Sequence, residues 1–161
     1  MSMTKHPEDI QKVAKLIKDI DTAMLTTISE DGLVSRPMKT QEVEFDGDLW
    51  FLTKKDTSKF HEILHNKQVN VAYADKSYVS VRGNAELIDS PEKIKEFWNK
   101  AYEEILDCSY DDPSLVLIKV HAETAEYWDS GNKFKMMTYM LRRAVGQDVK
   151  ASDMNEEVNL K

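Results

Sequence analysis

The chain has 161 residues, a formal net charge of −7 and a hydrophobic fraction of 41%. This length corresponds to about one domain, and the apolar content is enough for one core, which argues against a mostly disordered protein. The acidic balance argues against a general nucleic-acid binder, which needs a basic face. The chain has one cysteine, Cys108, so it cannot form an internal disulfide. This is typical of a protein in a reducing compartment. No stretch approaches the roughly 18 apolar residues of a membrane span, so we expect a soluble, cytoplasmic protein without a membrane partner.

The first part of the chain predicts one helix and one hairpin. A helix is expected over residues 7–20, because Pro7 suits a first helical turn and apolar residues then recur at three- and four-residue steps. This apolar face consists of Ile10, Val13, Ala14 and Ile17. Residues 24–28 and 33–40 predict two strands on either side of turn residues 30–32.

A second hairpin and a short helix are expected next. Asp46-Gly47 is the strongest short-range hairpin signal in the chain. It predicts that residues 43–45 pair with residues 49–53. A short helix should then cover residues 58–66.

The second half predicts further strands around another helix. Residues 69–75 and 78–88 read as strands joined by a tight link, and a helix should begin at Ser90. The apolar stripe expected for this helix is Ile94, Phe97, Trp98, Ala101 and Ile105. Residues 114–129 predict one long strand. Over residues 115–122, its alternating side chains give one wholly apolar face and one face that includes Lys119 and His121.

The overall pattern indicates six or seven strands that are mostly linked by short turns, which implies antiparallel pairing. The expected fold class is mainly β with added helices (α+β), a small antiparallel β-barrel rather than a doubly wound parallel sheet. We expect a single domain over residues 1–161, with the barrel over about 23–130 and a C-terminal helix and polar tail over 136–161. The tail from Gly146 is polar and acidic, and we expect it to be loosely attached.

A cluster of hydroxyl and ammonium groups lies at the predicted helix start near residue 58. Thr53, Thr57, Ser58 and Lys59 fall within seven residues. Free N–H groups and the helix dipole favour an anion there, and a phosphate needs cations with convergent donors. Arg36, one hairpin earlier, is the candidate for the second cation. The alternatives are a solvated turn in which Thr57 or Ser58 is a plain N-cap, and an ordinary surface arginine.

Three further residues have both a structural and a ligand-binding interpretation. Pro37 removes a ladder donor, so its strand should lie at an edge or bulge, where free backbone groups can meet a flat heterocycle. Trp128 ends a strand and suits either packing or contact with an aromatic cofactor. Arg82 interrupts an apolar strand. Its side chain either faces inward towards a partner or lies on the solvent face of an amphipathic strand.

The histidines give little support for a metal site. His61 and His65 share one helical face, but the chain has no HExxH motif and no obvious further ligands. We therefore expect solvated histidines and no metal. The sequence also has no GxGxxG, P-loop or CxxC motif.

Four segments occur in an informative order: "SRPMKT", "LWFLTKKDTSKFHEI", "YVSVRGNAEL" and "AEYWD". Together they resemble the FMN-binding split-barrel superfamily of pyridoxamine 5′-phosphate oxidase, and within it the general-stress-protein branch. The resemblance covers about residues 8–130. It implies an antiparallel split β-barrel that forms a homodimer with flavin at the subunit interface.

The resemblance also implies roles for individual residues. The flavin phosphate would be held by Arg36 and the turn after Thr53, and the isoalloxazine ring would border residues 37–41. Trp128 and residues 78–80 would lie near the flavin across the dimer interface. The full implied cofactor set is Arg36, Pro37, Met38, Lys39, Gln41, Leu52, Thr53, Thr57, Ser58, Lys59, Tyr78, Val79, Ser80 and Trp128. The expected cofactor is FMN, with FAD possible because both share the FMN moiety.

The chain departs from the oxidase pattern at two places. Oxidases of pyridoxamine phosphate carry an Arg-x-His pair after the tryptophan, whereas this chain reads "WDSGNKFKMMTYML". Lys133 and Lys135 offer cations there without the bidentate geometry of arginine. Ser58 stands where the family has a second basic residue. We therefore expect an oxidoreductase linked to stress response that acts on another small molecule. The alternatives are a non-catalytic flavin-binding or flavin-sensing protein, and a barrel that binds a different planar ligand.

Overall fold

The computed structural model of the chain describes residues 7–41, 45–75, 77–128, 140–142, 144–146 and 155–160. Its helices are α1 (Pro7–Ile17), α2 (Ser58–His65), α3 (Pro91–Phe97) and α4 (Lys100–Leu106). Its strands are β1 (Thr22–Ser29), β2 (Gly32–Lys39), β3 (Asp48–Lys54), β4 (Gln68–Ala74), β5 (Tyr78–Ile88), β6 (Leu115–Trp128) and β7 (Asn155–Asn159). Residues 140–142 and 144 are helical, within the expected last helix. Over the described ranges, no helix is long and apolar enough to cross a membrane.

All the strand pairs are antiparallel and lie in the order β2-β1-β4-β5-β6-β3, with β7 also paired to β6. The two ends of this order, β2 and β3, lie close to each other. The sheet therefore curls into an antiparallel split β-barrel with added helices, as the sequence predicts. The edge position of β2 also confirms the prediction from Pro37, since an edge strand tolerates the missing donor.

The barrel interior follows from the two-residue period of its strands. In β1, for example, Ala23, Leu25 and Thr27 are buried while their neighbours face outward. Helix α1 packs Ile10 and Val13 against this main core. Full burial of one such aliphatic side chain contributes about 1.5–3 kcal/mol, so the amphipathic face of α1 anchors it to the barrel.

The helix expected after Ser90 is broken into two. Trp98 takes an extended conformation as the C-cap of α3, and the Asn99 side chain then caps α4 by accepting from the Ala101 N–H. The break changes the phase of the helical face. Tyr102 is consequently buried in a second core with Leu52, Ile94, Leu115 and Leu117, whereas the expected stripe residues Ala101 and Ile105 are exposed.

The expected hairpin around Asp46-Gly47 lies only partly within the described residues. Gly47 has φ of 115°, a turn conformation that favours glycine. However, β3 pairs with β6, in a register that places Asp48 opposite His121. Most of the expected partner strand at 43–45 lies outside the described residues. Long-range pairing with β6 is not visible in a local turn signal.

The expectation of a loosely attached tail is wrong for residues 155–160. These residues form β7 along β6, and the side chains of Val158 and Leu160 are buried in the main core. The segment reads "NEEVNL", in which only two residues are apolar. Alternation over so short a stretch is a weak strand signal, so the sequence does not predict β7.

Gly83 provides a stability test of the barrel. A Cβ added to this residue would lie 2.2 Å from the backbone oxygen of His121, at the point where the β5–β6 register shifts. Because the obstacle is backbone, Gly83→Ala should lower the free energy of unfolding by about 3 kcal/mol, as severe overpacking does. Chemical denaturation measures this loss. Arg82→Ala, at the exposed neighbour, is the control and should stay within about 0.5 kcal/mol of the parent. Equal stabilities for the two variants would show that the close approach is not present.

Candidate functional site

The first turn of α2 lacks a side-chain cap. Thr57 occupies the N-cap position with an extended backbone, but its side chain makes no capping hydrogen bond to the helix. Its hydroxyl instead donates to the Lys54 carbonyl oxygen, 2.8 Å away. The interpretation of Thr57 as a plain side-chain N-cap is therefore wrong. The N–H groups of the first helical turn are left to water or to an anion.

Two more hydroxyl groups lie beside this helix start. Thr53 is the last residue but one of β3 and has a buried side chain, and its Oγ1 lies 3.4 Å from Oγ1 of Thr57. Ser58 is the first residue of α2 and is exposed. The fold therefore brings the end of β3 and the start of α2 together, as the sequence cluster suggests.

Arg36 reaches this region from the edge strand β2. It lies opposite Leu25 in register, so its side chain is on the same face as the buried residues of β1. Arg36 Nη1 donates to Thr27 Oγ1 at 2.6 Å, and Nη2 donates to Glu62 Oε2 at 2.9 Å. The Thr27 hydroxyl donates in turn to the same Glu62 oxygen. This network ties β1, β2 and α2 together and holds the guanidinium in place.

The network is mostly shielded from water. The side chains of Arg36 and Glu62 are only 16% and 15% exposed, and Thr27 is completely buried. Two N–H groups of Arg36 are engaged, out of the five that a guanidinium carries. The remaining donors of Arg36 can therefore serve a ligand without breaking its bond to Glu62.

Lys59 adds a second cation near Arg36. Partial burial lowers the pKa of the Lys59 ammonium, and the Arg36 guanidinium lowers it further, whereas the carboxylates of Asp56 and Glu62 act in the opposite direction. Two cations are thus held close enough to repel each other in a chain whose net charge is −7. An anion between them would relieve this repulsion and restore the pKa of Lys59.

Lys55, in the same polar turn, has a different environment. Its Nζ lies 2.5 Å from Asp89 Oδ2 and 3.3 Å from the carbonyl oxygen of Pro113. This ion pair directs Lys55 to the other side of the turn. The basic residues of the turn are therefore not equivalent: Lys55 pairs with Asp89, whereas the charge of Arg36 lowers the pKa of Lys59.

Further candidates form a second group on the outer face of the barrel. Tyr78 lies directly opposite Trp128 in the β5–β6 register, and Ser80 lies two residues further along the same face. Val79 points inward and is buried in the core, so only its backbone can contact a ligand. In the strand order, β4 and β1 lie between this group and Arg36 on β2.

The segment expected to border a ring is anchored by α4. Lys39 Nζ lies 5.9 Å from the centroid of the Tyr102 ring, and the Gln41 side-chain amide donates to the Tyr102 hydroxyl. Pro37 is exposed, whereas the side chains of Met38 and Leu52 are buried and can offer only backbone groups. Tyr102 therefore helps to position residues 39 and 41.

Sequence reasoning missed Thr27, Glu62 and Tyr102. Two of them had a readable signal. Thr27 is a polar residue at an inward position of β1, and Glu62 lies one helical turn after Ser58 and three residues after Lys59. Tyr102 could not be found, because its burial depends on the break between α3 and α4.

The remaining candidates can now be placed. Arg82 is exposed, so it lies on the solvent face of β5, and His61 and His65 are exposed on α2. Within the part of the chain that the structure describes, no group of three or more His, Cys, Asp or Glu residues is arranged to hold a metal. Lys133 and Lys135 lie outside the described residues.

The chain is similar in sequence and fold to known proteins. The family model described as pyridoxamine 5′-phosphate oxidase like matches residues 8–150. General stress protein 26 of Bacillus subtilis (strain 168) is 28% identical over 137 residues, which cover 80% of this chain and 94% of that protein. The crystal structure of general stress protein 26 from Bacillus anthracis str. Sterne has 27% identity and a TM-score of 0.64, covering 75% of this chain and 92% of that one. The general stress FMN/FAD binding protein from Xanthomonas citri has 27% identity and a TM-score of 0.65, covering 75% and 89%.

Two neighbouring threonines test the network around Arg36. Thr27→Val removes the hydroxyl that links Arg36 to Glu62 in a fully buried position. Because hydrogen bonds to two charged groups are lost, the free energy of unfolding should fall by about 2 kcal/mol, measured by chemical denaturation. Thr26→Val is the matched control, since the Thr26 hydroxyl bonds the Ser35 hydroxyl at 2.6 Å in an exposed position. This change should cost less than about 0.5 kcal/mol. Equal losses in the two variants would contradict the network.

Proposed function

Because the chain belongs to the pyridoxamine 5′-phosphate oxidase-like family, we propose that it is an FMN-binding oxidoreductase of the general-stress branch. One observation carries this proposal. The start of α2, which no side chain caps, lies beside two mutually repelling cations, Arg36 and Lys59. A phosphate monoester, with a charge of about −1.5 to −2 at neutral pH, complements that combination.

The phosphate cradle consists of Arg36, Thr53, Thr57, Ser58 and Lys59. The two cations supply charge, the three hydroxyl groups supply neutral donors, and the first-turn amides of α2 complete the set. Glu62 keeps the guanidinium oriented while leaving some of its donors available. FAD contains the same phosphate next to its ribityl chain, so this cradle serves either flavin.

The ring-binding part of the site uses backbone groups of the edge strand. The isoalloxazine ring lies along residues 37–41, where the exposed Pro37 leaves the strand edge open. Tyr102 holds Gln41 and contacts Lys39, which keeps this segment in a fixed position. Bound flavin supplies the electron-transfer chemistry, and the chain supplies binding, orientation and shielding from water.

A homodimer completes the site in this proposal. The outer face that carries Tyr78 and Trp128 also carries Met24, and both Tyr78 and Met24 are large apolar residues with substantial exposure, 36% and 40%. The strand between them presents the small residues Ala72 and Ala74, which allow a second copy to approach. Tyr78, Val79, Ser80 and Trp128 of one subunit then border the flavin held by the other.

The substrate is a small molecule other than pyridoxamine phosphate. The sequence after Trp128 has no Arg-x-His pair to grip that substrate's phosphate. The same feature favours the second candidate function, a stress protein that binds or senses flavin without turnover. The two functions share the phosphate cradle, so tests of the cradle apply to both.

The cradle is tested by comparing two flavins that differ only in the phosphate. Lys59→Ala should weaken FMN binding about 10- to 100-fold, the loss expected for one charge-assisted contact, and should change riboflavin binding less than about 2-fold. Quenching of flavin fluorescence gives both dissociation constants, and the visible spectrum of the purified protein reports bound flavin.

Lys55→Ala is the matched control for this experiment. Lys55 lies four residues before Lys59 but is paired with Asp89, so its removal should leave FMN affinity within about 2-fold of the parent. Equal losses for FMN and riboflavin in Lys59→Ala would refute the phosphate role. A parent protein that binds neither flavin would refute the proposed function itself.

The shared site predicts a dimer in solution. Light scattering should give about twice the chain mass of 18.6 kDa. Tyr78→Asp places a charge on the proposed apolar contact face and should shift the protein towards monomer with a loss of FMN affinity. Arg82→Asp, four residues further along the same strand and on the same face, is the control for the change of charge. A monomeric parent with full FMN affinity would contradict the shared site.

A further inference from the structure

The chain after β6 leaves the sheet and returns to it at one place, beside the proposed dimer face. Trp128 pairs with Tyr78 of β5 on one side and with Asn155 of β7 on the other. The C-terminal segment (residues 140–142 and 144–146) lies between these two anchor points in the sequence, and residues 140–142 and 144 are helical. It is therefore attached, at both ends, to the face that carries Tyr78 and Trp128.

The C-terminal segment is exposed at every residue that the structure describes. Three of these residues are large and apolar: Met140, Leu141 and Val145. The Val145 N–H donates to the Leu141 carbonyl oxygen at 3.2 Å, which continues the helical turn as far as Val145. At helical spacing the three side chains form one stripe, and Arg142 lies at its border. Such an apolar stripe predicts a partner surface that covers it.

Helix α4 presents a surface of complementary character. Its Tyr102 faces the second core, whereas Glu104 and Ile105 are exposed on the side turned towards solvent. Ile105 is 59% exposed. An apolar residue beside an acidic one on α4 thus matches the apolar stripe beside the basic Arg142.

The proposed dimer brings these two surfaces to the same place. In that dimer, Trp128 of one subunit borders the flavin of the other, and this flavin lies along residues 37–41. Tyr102 of α4 anchors the same segment, because it accepts a hydrogen bond from Gln41 and its ring lies 5.9 Å from Lys39 Nζ. The chain that follows Trp128 of one subunit therefore leads towards α4 of the other.

We propose that the C-terminal segment of each subunit docks on α4 of the other subunit, with Met140 and Leu141 against Ile105 and with Arg142 beside Glu104. This inference rests on the dimer of the proposed function and identifies a second surface that joins the two copies. The contact occurs twice, because a symmetric dimer repeats every contact between its subunits.

Cysteine cross-linking tests the position of the segment. Cys108→Ser removes the native thiol, and Ile105→Cys together with Leu141→Cys then places one thiol on each surface. Mild oxidation should give a covalent dimer of twice the 18.6 kDa chain mass on a non-reducing gel, since a disulfide forms only when the two Cα atoms lie within about 7 Å. The matched control replaces Ile105→Cys by Glu103→Cys on the other flank of α4, and its yield of covalent dimer should be at least about 5-fold lower.

Charge reversal tests the polar part of the contact. Glu104→Arg should raise the dissociation constant of the dimer about 10-fold, because two repelling pairs replace two attracting ones. Adding Arg142→Glu should return the constant to within about 2-fold of the parent. Glu103→Arg makes the same change of charge at the neighbouring residue and should alter the constant less than about 2-fold. Analytical ultracentrifugation measures all four constants.

The outcomes separate this inference from the proposed function. A parent that is dimeric and binds FMN, but whose double-cysteine variant gives no covalent dimer, overturns the docking and leaves the proposed function intact. A disulfide that forms within one chain shows that the segment docks on its own α4, which also overturns the proposal. So does co-sedimentation of the parent with phosphatidylglycerol vesicles that Leu141→Asp abolishes, since a lipid surface would then cover the stripe. A monomeric parent contradicts both the docking and the shared flavin site.

Discussion

The hydrogen bonding of β6 is the constraint on which the rest of the molecule depends. One edge of this strand pairs with β5 along nearly its whole length, and the other edge pairs first with β3 and then with β7. Because β3 is fixed in this way, Thr53 near its end lies beside the start of α2. The far end of the strand order can then curl until β2 meets β3. Gly83 permits the closest part of the β5–β6 contact, since any side chain there would collide with the backbone of β6.

The closed barrel places charged groups near α2 and aromatic side chains near α1. Near α2, the buried Thr27 and the mostly buried Glu62 hold Arg36, and the charge of Arg36 lowers the pKa of Lys59. Near α1, aromatic side chains and charged residues of both signs line a cavity of about 690 Å³. Partial burial strengthens the interactions of the charges in the first region. The same barrel thus presents a cationic region near α2 and an aromatic cavity near α1.

Local patterns account for most of the fold but not for its long-range contacts. The hydrophobic periods predict α1, α2 and the strands β1, β2, β4, β5 and β6 with nearly correct boundaries. The pairing of β3 with β6 could not be predicted, because the Asp46-Gly47 turn gives information only about neighbouring residues. At the site, charge and hydroxyl clustering indicated Arg36 and Lys59, whereas Tyr102 required knowledge of the break between two short helices. Met38, Leu52 and Val79 came from resemblance alone, and their buried side chains limit any role to the backbone.

The position of β7 has a consequence for how the molecule folds. Val13 of α1 and Leu160 after β7 belong to the same core cluster, although nearly the whole described chain separates them. Contacts at such separation are slow to form, because the entropy of closing a long loop must be overcome first. Until β7 arrives, residues 124–128 of β6 expose a free strand edge, which is a template for association with other chains. The protein is therefore most vulnerable to aggregation before β7 docks on β6, the strand that also carries Trp128.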